Sequence, residues 1–546
     1  MGETVAEAGV ATEPAYLPDL PEQLDGLVTR AAAAAPARTA LIHGEQHLTY
    51  VELDDRVTAA AGAMRGLLPE AGATVAVASV LHPDFAVAYY ATARAGHLAA
   101  VVNPLLREED LLHVLTLCGA RLALVDAGLY ERLAAVRDRL PQLTRVVLIG
   151  GGTRDGLPTL RDLIEQGEQS GESGDGDAGP AASLPAAGSA RKERDACVQF
   201  TSGTTGRPKA VRLSHRNLTV NAEQIATAHR LDGTSVTVNH LPTFHPMHLN
   251  SAVRATATQV LCTGPEAADA VAAANEHGAT HLYSLPVRLA RLAADPALDG
   301  PALRTVRTIA SGGSALPPRA AARLTERFGI PVIQGYGLAE TSPLTHSDDP
   351  ADPVHGSVGR PVPGTRCRVV DLGTRAELPP GSVGEVQLHG PQLMTGYLGG
   401  PDGTGLEPDG WLSTGDVGRI DADGRLFLVD RLKDVFKCDN FLVSPSEVER
   451  VAARDPRVQE AVVVDLPDAF RGAVAGALVV LAAAGADPDT ADRTLASVLA
   501  DVNAQLPYYE HIQQARAVGS IPRSGNGKIQ RRVLREQLIA LLGDGV

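Results

Sequence analysis

Between residues 39 and 149 the sequence alternates short apolar runs with segments of helical period. That alternation restricts the fold more than any other feature of the chain. Residues 39–42 and 47–50 read as short strands, and 24–35 and 50–68 as helices. A buried strand follows at 75–79, a helix at 84–95, a further strand that ends at 101–104, and strands at 122–126 and 145–149. Continuous apolar strands separated by helices predict an α/β fold, with mostly parallel sheets covered by helices on both faces.

The remainder refines this expectation. Residues 166–192 are rich in Gly, Ser, Ala and acids without apolar period, and read as a disordered insertion. Residues 306–310 and 331–334 are strands that run into small residues. An Asp-Gly turn at Asp423 and Gly424 predicts a hairpin. After the charged stretch Asp430, Arg431, Leu432, Lys433 and Asp434, helices at 446–453 and 490–506 and strands at 458–464 and 475–481 read as a small α+β module. A chain of 546 residues is too long for one core. Two domains are expected, 1–430 and 431–546.

The formal net charge of −15 argues against a nucleic-acid backbone or an anionic membrane as the main partner. Five cysteines, Cys118, Cys197, Cys262, Cys367 and Cys438, are scattered without metal-ligand spacing, which points to free thiols. Residues 1–14 lack a secretory pattern, and no uninterrupted apolar run is long enough to span a bilayer. A cytoplasmic protein is expected.

The chemistry concentrates first at residues 200–209, Phe200-Thr201-Ser202-Gly203-Thr204-Thr205-Gly206-Arg207-Pro208-Lys209. Glycines let backbone approach a ligand, successive N–H groups can cradle anionic oxygens, the hydroxyls add donors, and Lys209 adds a point charge. Such a loop suits a polyphosphate. It departs from the usual P-loop, because Arg207 and Pro208 stand between the second glycine and the lysine. A helix start follows at Ser214.

Asn239 to Ser251 holds three histidines, His240, His245 and His248, within nine residues. Pro246 disfavours a regular helix through His245 and His248, and no nearby acid or Cys completes a metal site. Small residues at Ser311–Ala315 and Gly335–Gly337 end predicted strands, where open α/β sheets bind ligands. Tyr397 and Trp411 read as core residues. Lys528 sits on a Gly-flanked loop near the C-terminus.

The run T-S-G-T-T-G-x-P-K resembles the phosphate-binding signature of the adenylate-forming superfamily, which holds acyl-CoA and aryl-CoA ligases, luciferases and carrier-protein-loading adenylation domains. Matching stretches cover nearly the whole chain, and L-P-T-F-H with D-R-L-K is most similar to 4-coumarate–CoA ligase-like enzymes. The resemblance implies a large N-terminal domain and a small mobile C-terminal one, with ATP and Mg²⁺ as cofactors. By this resemblance Thr201, Ser202, Gly203, Thr204, Thr205, Gly206 and Lys209 handle the ATP phosphates. The turn at Gly313 and Ser314 cradles adenine, Gln334, Gly335, Tyr336 and Gly337 continue the nucleotide site, and Thr341 or its neighbours touch the α-phosphate. Glu340 binds Mg²⁺, Asp416 the ribose hydroxyls, and Arg431 ribose or phosphate. His245, Met247, His248, Ser251 and Gly335 line the acid pocket. Lys433 is the hinge, Lys437 is a catalytic residue with Thr201, Glu340 and His245, and Lys528 stabilises charge on the α-phosphate.

The chain departs from this pattern at Lys437-Cys438-Asp439-Asn440-Phe441-Leu442-Val443, where the family resembles K-x-x-G-[FY]-Q-V. Asn440 replaces a glycine beside the thiol tunnel, and Leu442 replaces a glutamine. The resemblance to 4-coumarate–CoA ligase-like enzymes implies adenylation of a small, aromatic carboxylic acid followed by transfer to CoA, while Asn440 and Leu442 favour an alternative acceptor. The alternative is transfer to an amine, to a carrier-protein thiol, or nitrite-dependent diazotisation of an aryl amine.

Overall fold

The computed structural model describes residues 20–154, 156–171, 194–201, 208–241, 246–295, 303–399, 405–439, 441–468, 470–482, 488–523 and 529–542. The chain divides into two compact units. The first comprises residues 1–367 and 388–412, the second 368–387 and 413–546.

The first unit contains two large sheets. One has nine strands, and its centre is parallel: Thr39–His43, Thr258–Leu261, Val236–His240, His281–Ser284, Thr308–Ser311 and Val332–Gly337 lie side by side in that order. The other has seven strands, with Thr74–Ala78, Leu98–Val101, Leu122–Val125 and Arg145–Leu148 at its parallel end. Every residue of Thr74–Ala78 and of Leu122–Val125 is buried, as expected for strands covered on both faces. The helices announce their starts locally. Thr49 and Glu52 form a capping box at Tyr50–Leu67, and Ser214 and Asn217 form one at His215–Ala228.

The helix Leu160–Gly171 extends into the stretch expected to be disordered from residue 166. Its start is capped by Thr159 and Asp162, and Leu160 and Leu163 are buried beneath it. These local signals outweigh the polar composition of its last turns. The rest of that insertion, 172–192, lies outside the described residues.

The second unit holds a sheet of Phe441–Val443, Phe436–Cys438, Gly472–Leu481, Val458–Asp468 and Ile512–Ala517. The helices Pro445–Ala452, Pro488–Asn503 and Arg531–Leu542 accompany it. Its core is almost wholly Val, Leu, Ile and Ala. The expected hairpin is present, with Leu412–Ile420 antiparallel to Leu426–Arg431. All five cysteines are free thiols. Among the described residues, no helix is long and apolar enough to cross a membrane.

Candidate active site

The strand Asp195–Thr201 leads into the Gly- and hydroxyl-rich loop, and the strand Lys209–Ser214 leads out of it. The two strands are antiparallel, and Thr201 pairs with Lys209. The loop therefore closes a hairpin, whereas a P-loop joins a strand to a helix. Ser202, Gly203, Thr204, Thr205 and Gly206 lie outside the described residues. Lys209 is exposed at the hairpin's mouth, with its Nζ 5.0 Å from the ring centroid of Tyr397.

The strand Val332–Gly337 ends in a short 3-10 turn, Ala339–Thr341, that carries Glu340. Gly337 is obligatory here, because a Cβ at that position would lie 2.0 Å from the Pro343 carbonyl oxygen. A Cβ on Gly335 would meet Leu344 Cδ1 at 2.8 Å. Tyr336 is buried, with its ring 5.9 Å from that of His346. Gln334 is buried and structural in its contacts: its side-chain oxygen accepts from Leu316 N at 2.6 Å, and its amide donates to the Ser357 carbonyl at 3.3 Å. The fully buried Thr341 hydroxyl caps its own turn, accepting from Leu338 N at 3.0 Å. Gly313 and Ser314 are exposed beyond the strand Thr308–Ser311, and Gly313 has φ +93° in open space.

The Glu340 carboxylate accepts a hydrogen bond from the Tyr397 hydroxyl at 2.9 Å. Burial, and next the adjacent carboxylate, push the Tyr397 phenol far up, so it stays a protonated donor. Tyr397 was expected to be core. It is half-buried and polar in its duty, and no periodicity in its neighbourhood signals this. Trp411, also expected in the core, is half-buried with the Arg366 guanidinium 5.3 Å from its ring.

Met247, His248 and Ser251 lie on the helix Met247–Arg254, which begins directly after Pro246. His248 stacks on Tyr283 with centroids 4.0 Å apart, and the Tyr283 hydroxyl lies 3.0 Å from His229 Nδ1. Burial lowers His229 to about 3, aided by the neighbouring His248 and His281, so its imidazole is neutral. Ser251 is fully buried and donates to the His248 carbonyl at 3.3 Å. His245 lies outside the described residues.

In the second unit the structure pairs two expected nucleotide ligands with each other. Arg431 Nε meets Asp416 Oδ1 at 2.7 Å, across register-paired strands. Glu385, which accepts from Gly415 N at 3.1 Å and pairs with Arg375, holds the strand residue just before Asp416. Sequence reasoning did not identify Glu385 or Tyr283. Lys433 and Lys437 are exposed, the first in the turn after Arg431 and the second in the strand Phe436–Cys438. Asn440 and Lys528 lie outside the described residues.

Among the described residues no three His, Cys, Asp or Glu side chains assemble around an ion position. A single carboxylate on a strand-end turn suits Mg²⁺, which keeps waters and is bound through one or two carboxylates plus substrate phosphates. Glu340 fits that requirement.

The sequence matches the AMP-binding enzyme family over residues 28–398 and the AMP-binding enzyme C-terminal domain over residues 447–528. The chain belongs to this adenylate-forming family and is an ATP-dependent ligase. It is 28% identical to 4-coumarate–CoA ligase 3 of Oryza sativa subsp. japonica, covering 100% of this chain and 98% of that protein. It is 30% identical to a feruloyl-CoA synthase of Amycolatopsis sp, covering 93% and 97%. Among solved structures, the amide bond synthetase McbA of Marinactinospora thermotolerans superposes with a TM-score of 0.79 at 25% identity, covering 94% of this chain and 99% of that one.

Proposed function

We propose that the protein adenylates a small aromatic carboxylic acid and transfers the acyl group to CoA. The observation that carries this reading is the full-length similarity to a 4-coumarate–CoA ligase, joined by that to a feruloyl-CoA synthase. A carboxylate oxygen attacks the ATP α-phosphorus, and the bond to the bridging oxygen breaks to release pyrophosphate. The acceptor thiol then attacks the acyl carbon, and AMP leaves. The loop 201–209 binds the β- and γ-phosphates, and Asp416 and Arg431 hold the ribose. Gly313, Ser314 and Tyr336 flank adenine. His245, Met247, His248 and Ser251 shape the acid pocket. Glu340 is the residue that would hold Mg²⁺, which supplies charge neutralisation on the phosphates. Lys528 offsets the charge that develops at phosphorus. Residues from 431 onward form the mobile domain, with Lys433 as its hinge and Lys437 as a catalytic residue. A cytoplasmic setting fits the five free thiols.

A second reading keeps the adenylation and changes the acceptor to an amine or another non-CoA nucleophile. Asn440 and Leu442 in place of glycine and glutamine favour it, as does the similarity to an amide bond synthetase. A panel of acids, nitrite included, assayed for pyrophosphate release with and without CoA separates the two. An aryl–CoA product supports the first reading. Pyrophosphate release indifferent to CoA, with thioester appearing only in the Asn440→Gly, Leu442→Gln double variant, supports the second. No acid-dependent pyrophosphate release would overturn both.

A further inference from the structure

We propose that Tyr397 is a positioning residue that joins the metal-binding acid to the phosphate-binding lysine. The inference rests on the reading of Glu340 and Lys209 given above. Three contacts carry it. The phenol donates to Glu340 at 2.9 Å, and among the described residues it is the one side chain that hydrogen-bonds this carboxylate. The face of the same ring lies 5.0 Å from Lys209 Nζ, within cation–π range. The backbone around Tyr397 is tied to both partners. Gly396 and Tyr397 pair with Arg212 and Val211 on the strand that leaves the phosphate loop, and Leu398 N donates to the Ala210 carbonyl at 2.8 Å. Met394 N donates to the Glu340 carbonyl at 2.8 Å.

Residues 394–398 thus form a clamp between two segments far apart in sequence. The physical consequence follows from the donor set. A neutral phenol orients a carboxylate without cancelling its charge, whereas an Arg or Lys in the same place would compete with the cation. The ring face offers the ammonium an attractive surface while leaving its N–H groups for phosphate oxygens. Tyr397 therefore holds one negative and one positive group in position before the nucleotide arrives, which reduces the ordering that binding must impose.

The test uses the full-length protein and ATP alone, without any acid, so it does not depend on knowing the substrate. Calorimetric ATP titrations are run with Mg²⁺ and with EDTA, and the ratio of the two dissociation constants gives the Mg²⁺ enhancement. Tyr397→Phe keeps the ring and loses the hydroxyl. It should reduce the enhancement about tenfold, the lower end of the 10–100-fold cost of removing a group that orients a metal ligand, with metal-free ATP binding unchanged. Tyr397→Leu should in addition weaken metal-free ATP binding, because Lys209 loses its ring.

Glu340→Gln separates the proposal from the reading beneath it. If Glu340→Gln leaves the enhancement intact, the metal role of Glu340 fails and the proposal falls with it. If Glu340→Gln abolishes the enhancement while Tyr397→Phe matches wild type, the positioning role alone is overturned. A purely structural Tyr397 would raise both dissociation constants and lower the melting temperature regardless of background. A positioning Tyr397 has no further effect on the enhancement in the Glu340→Gln background, so a Tyr397→Phe effect that persists there also overturns the proposal.

Discussion

The two units bury different kinds of side chain. The first is polar inside: Gln199, Asn217, Asn221, Gln224, His229, His240, Asn250, Gln259, His281 and His346 are all buried. The second has an aliphatic core, and its buried polar residues among those described are Glu385, Gln387, Asp416 and Ser444. His511 is the only histidine in residues 368–387 and 413–546, so the first unit holds the other fifteen of sixteen. Two carboxylates show the contrast at atomic scale. Glu449 in the second unit is ion-paired with Arg531, accepts from Val463 N at 2.7 Å, and sits with side chains 16% and 14% exposed. Arg531 also donates to the Val463 carbonyl at 2.7 Å and to Ser446 Oγ at 3.1 Å. Glu340 in the first unit meets one neutral phenol. A carboxylate whose charge is matched by an arginine holds a fold together. A carboxylate oriented by a neutral donor keeps its charge for a ligand.

The sharpest way to break this contrast is to find chemistry carried by the second unit. Lys528→Ala, in that unit's Gly-flanked stretch by sequence, should slow pyrophosphate release by about 10²–10³-fold, as expected for loss of a donor used in the transition state. ATP affinity should be unchanged, and near-normal turnover would remove Lys528 from the mechanism. Glu449→Ala removes the nearest carboxylate from Arg531, a pair 16% and 14% exposed, and should cost the second unit about 2 kcal/mol, within the range for hydrogen bonds to charged groups. Denaturant unfolding measures it, and wild-type stability would make that pair incidental.

Acid should act on the first unit instead. Burial lowers His229 and His346 to about 3, below the ordinary 6.5. A histidine with a depressed folded pKa takes up its proton more readily when unfolded, so stability is present above 6.5 and lost as pH falls toward 3. Two such groups give a slope of about 2–3 kcal/mol per pH unit within that window. Trp411, the chain's single Trp, lies in the first unit and reports its unfolding. A flat midpoint between pH 6 and pH 4.5 would contradict the neutral-histidine account. The smallest effect sharpens the comparison at its exception. Asp416 is a buried carboxylate of the second unit already paired with Arg431. Asp416→Ala should weaken ATP binding about tenfold through lost charged hydrogen bonds, and an unchanged ATP dissociation constant would reassign Asp416 to structure.

Much of this was legible in the sequence, and the reasons are local. The parallel sheets follow from apolar runs such as 74–78, whose burial on both faces needs no polar alternation. Helix starts at Thr49 and Ser214 are written in capping residues three positions apart. The phosphate role expected of 201–209 rests on consecutive backbone groups, of which the described residues include only the flanking strands and the pairing of Thr201 with Lys209. Helix Leu160–Gly171 was not read from the sequence, because capping and two buried leucines outweigh the polar composition of its last turns.

What only the tertiary structure decided is which distant groups meet. Tyr397 and Glu340 are separated by 57 positions, and Arg531 and Glu449 by 82. A hydrogen bond reaches about 3 Å, and nothing in composition or period encodes which of many tyrosines or arginines arrives there. Periodicity and motifs specify elements because they depend on neighbours along the chain. The orientation of Glu340, the pairing of Asp416 with Arg431 and the neutrality of His229 depend on neighbours in space, and packing alone brought those together.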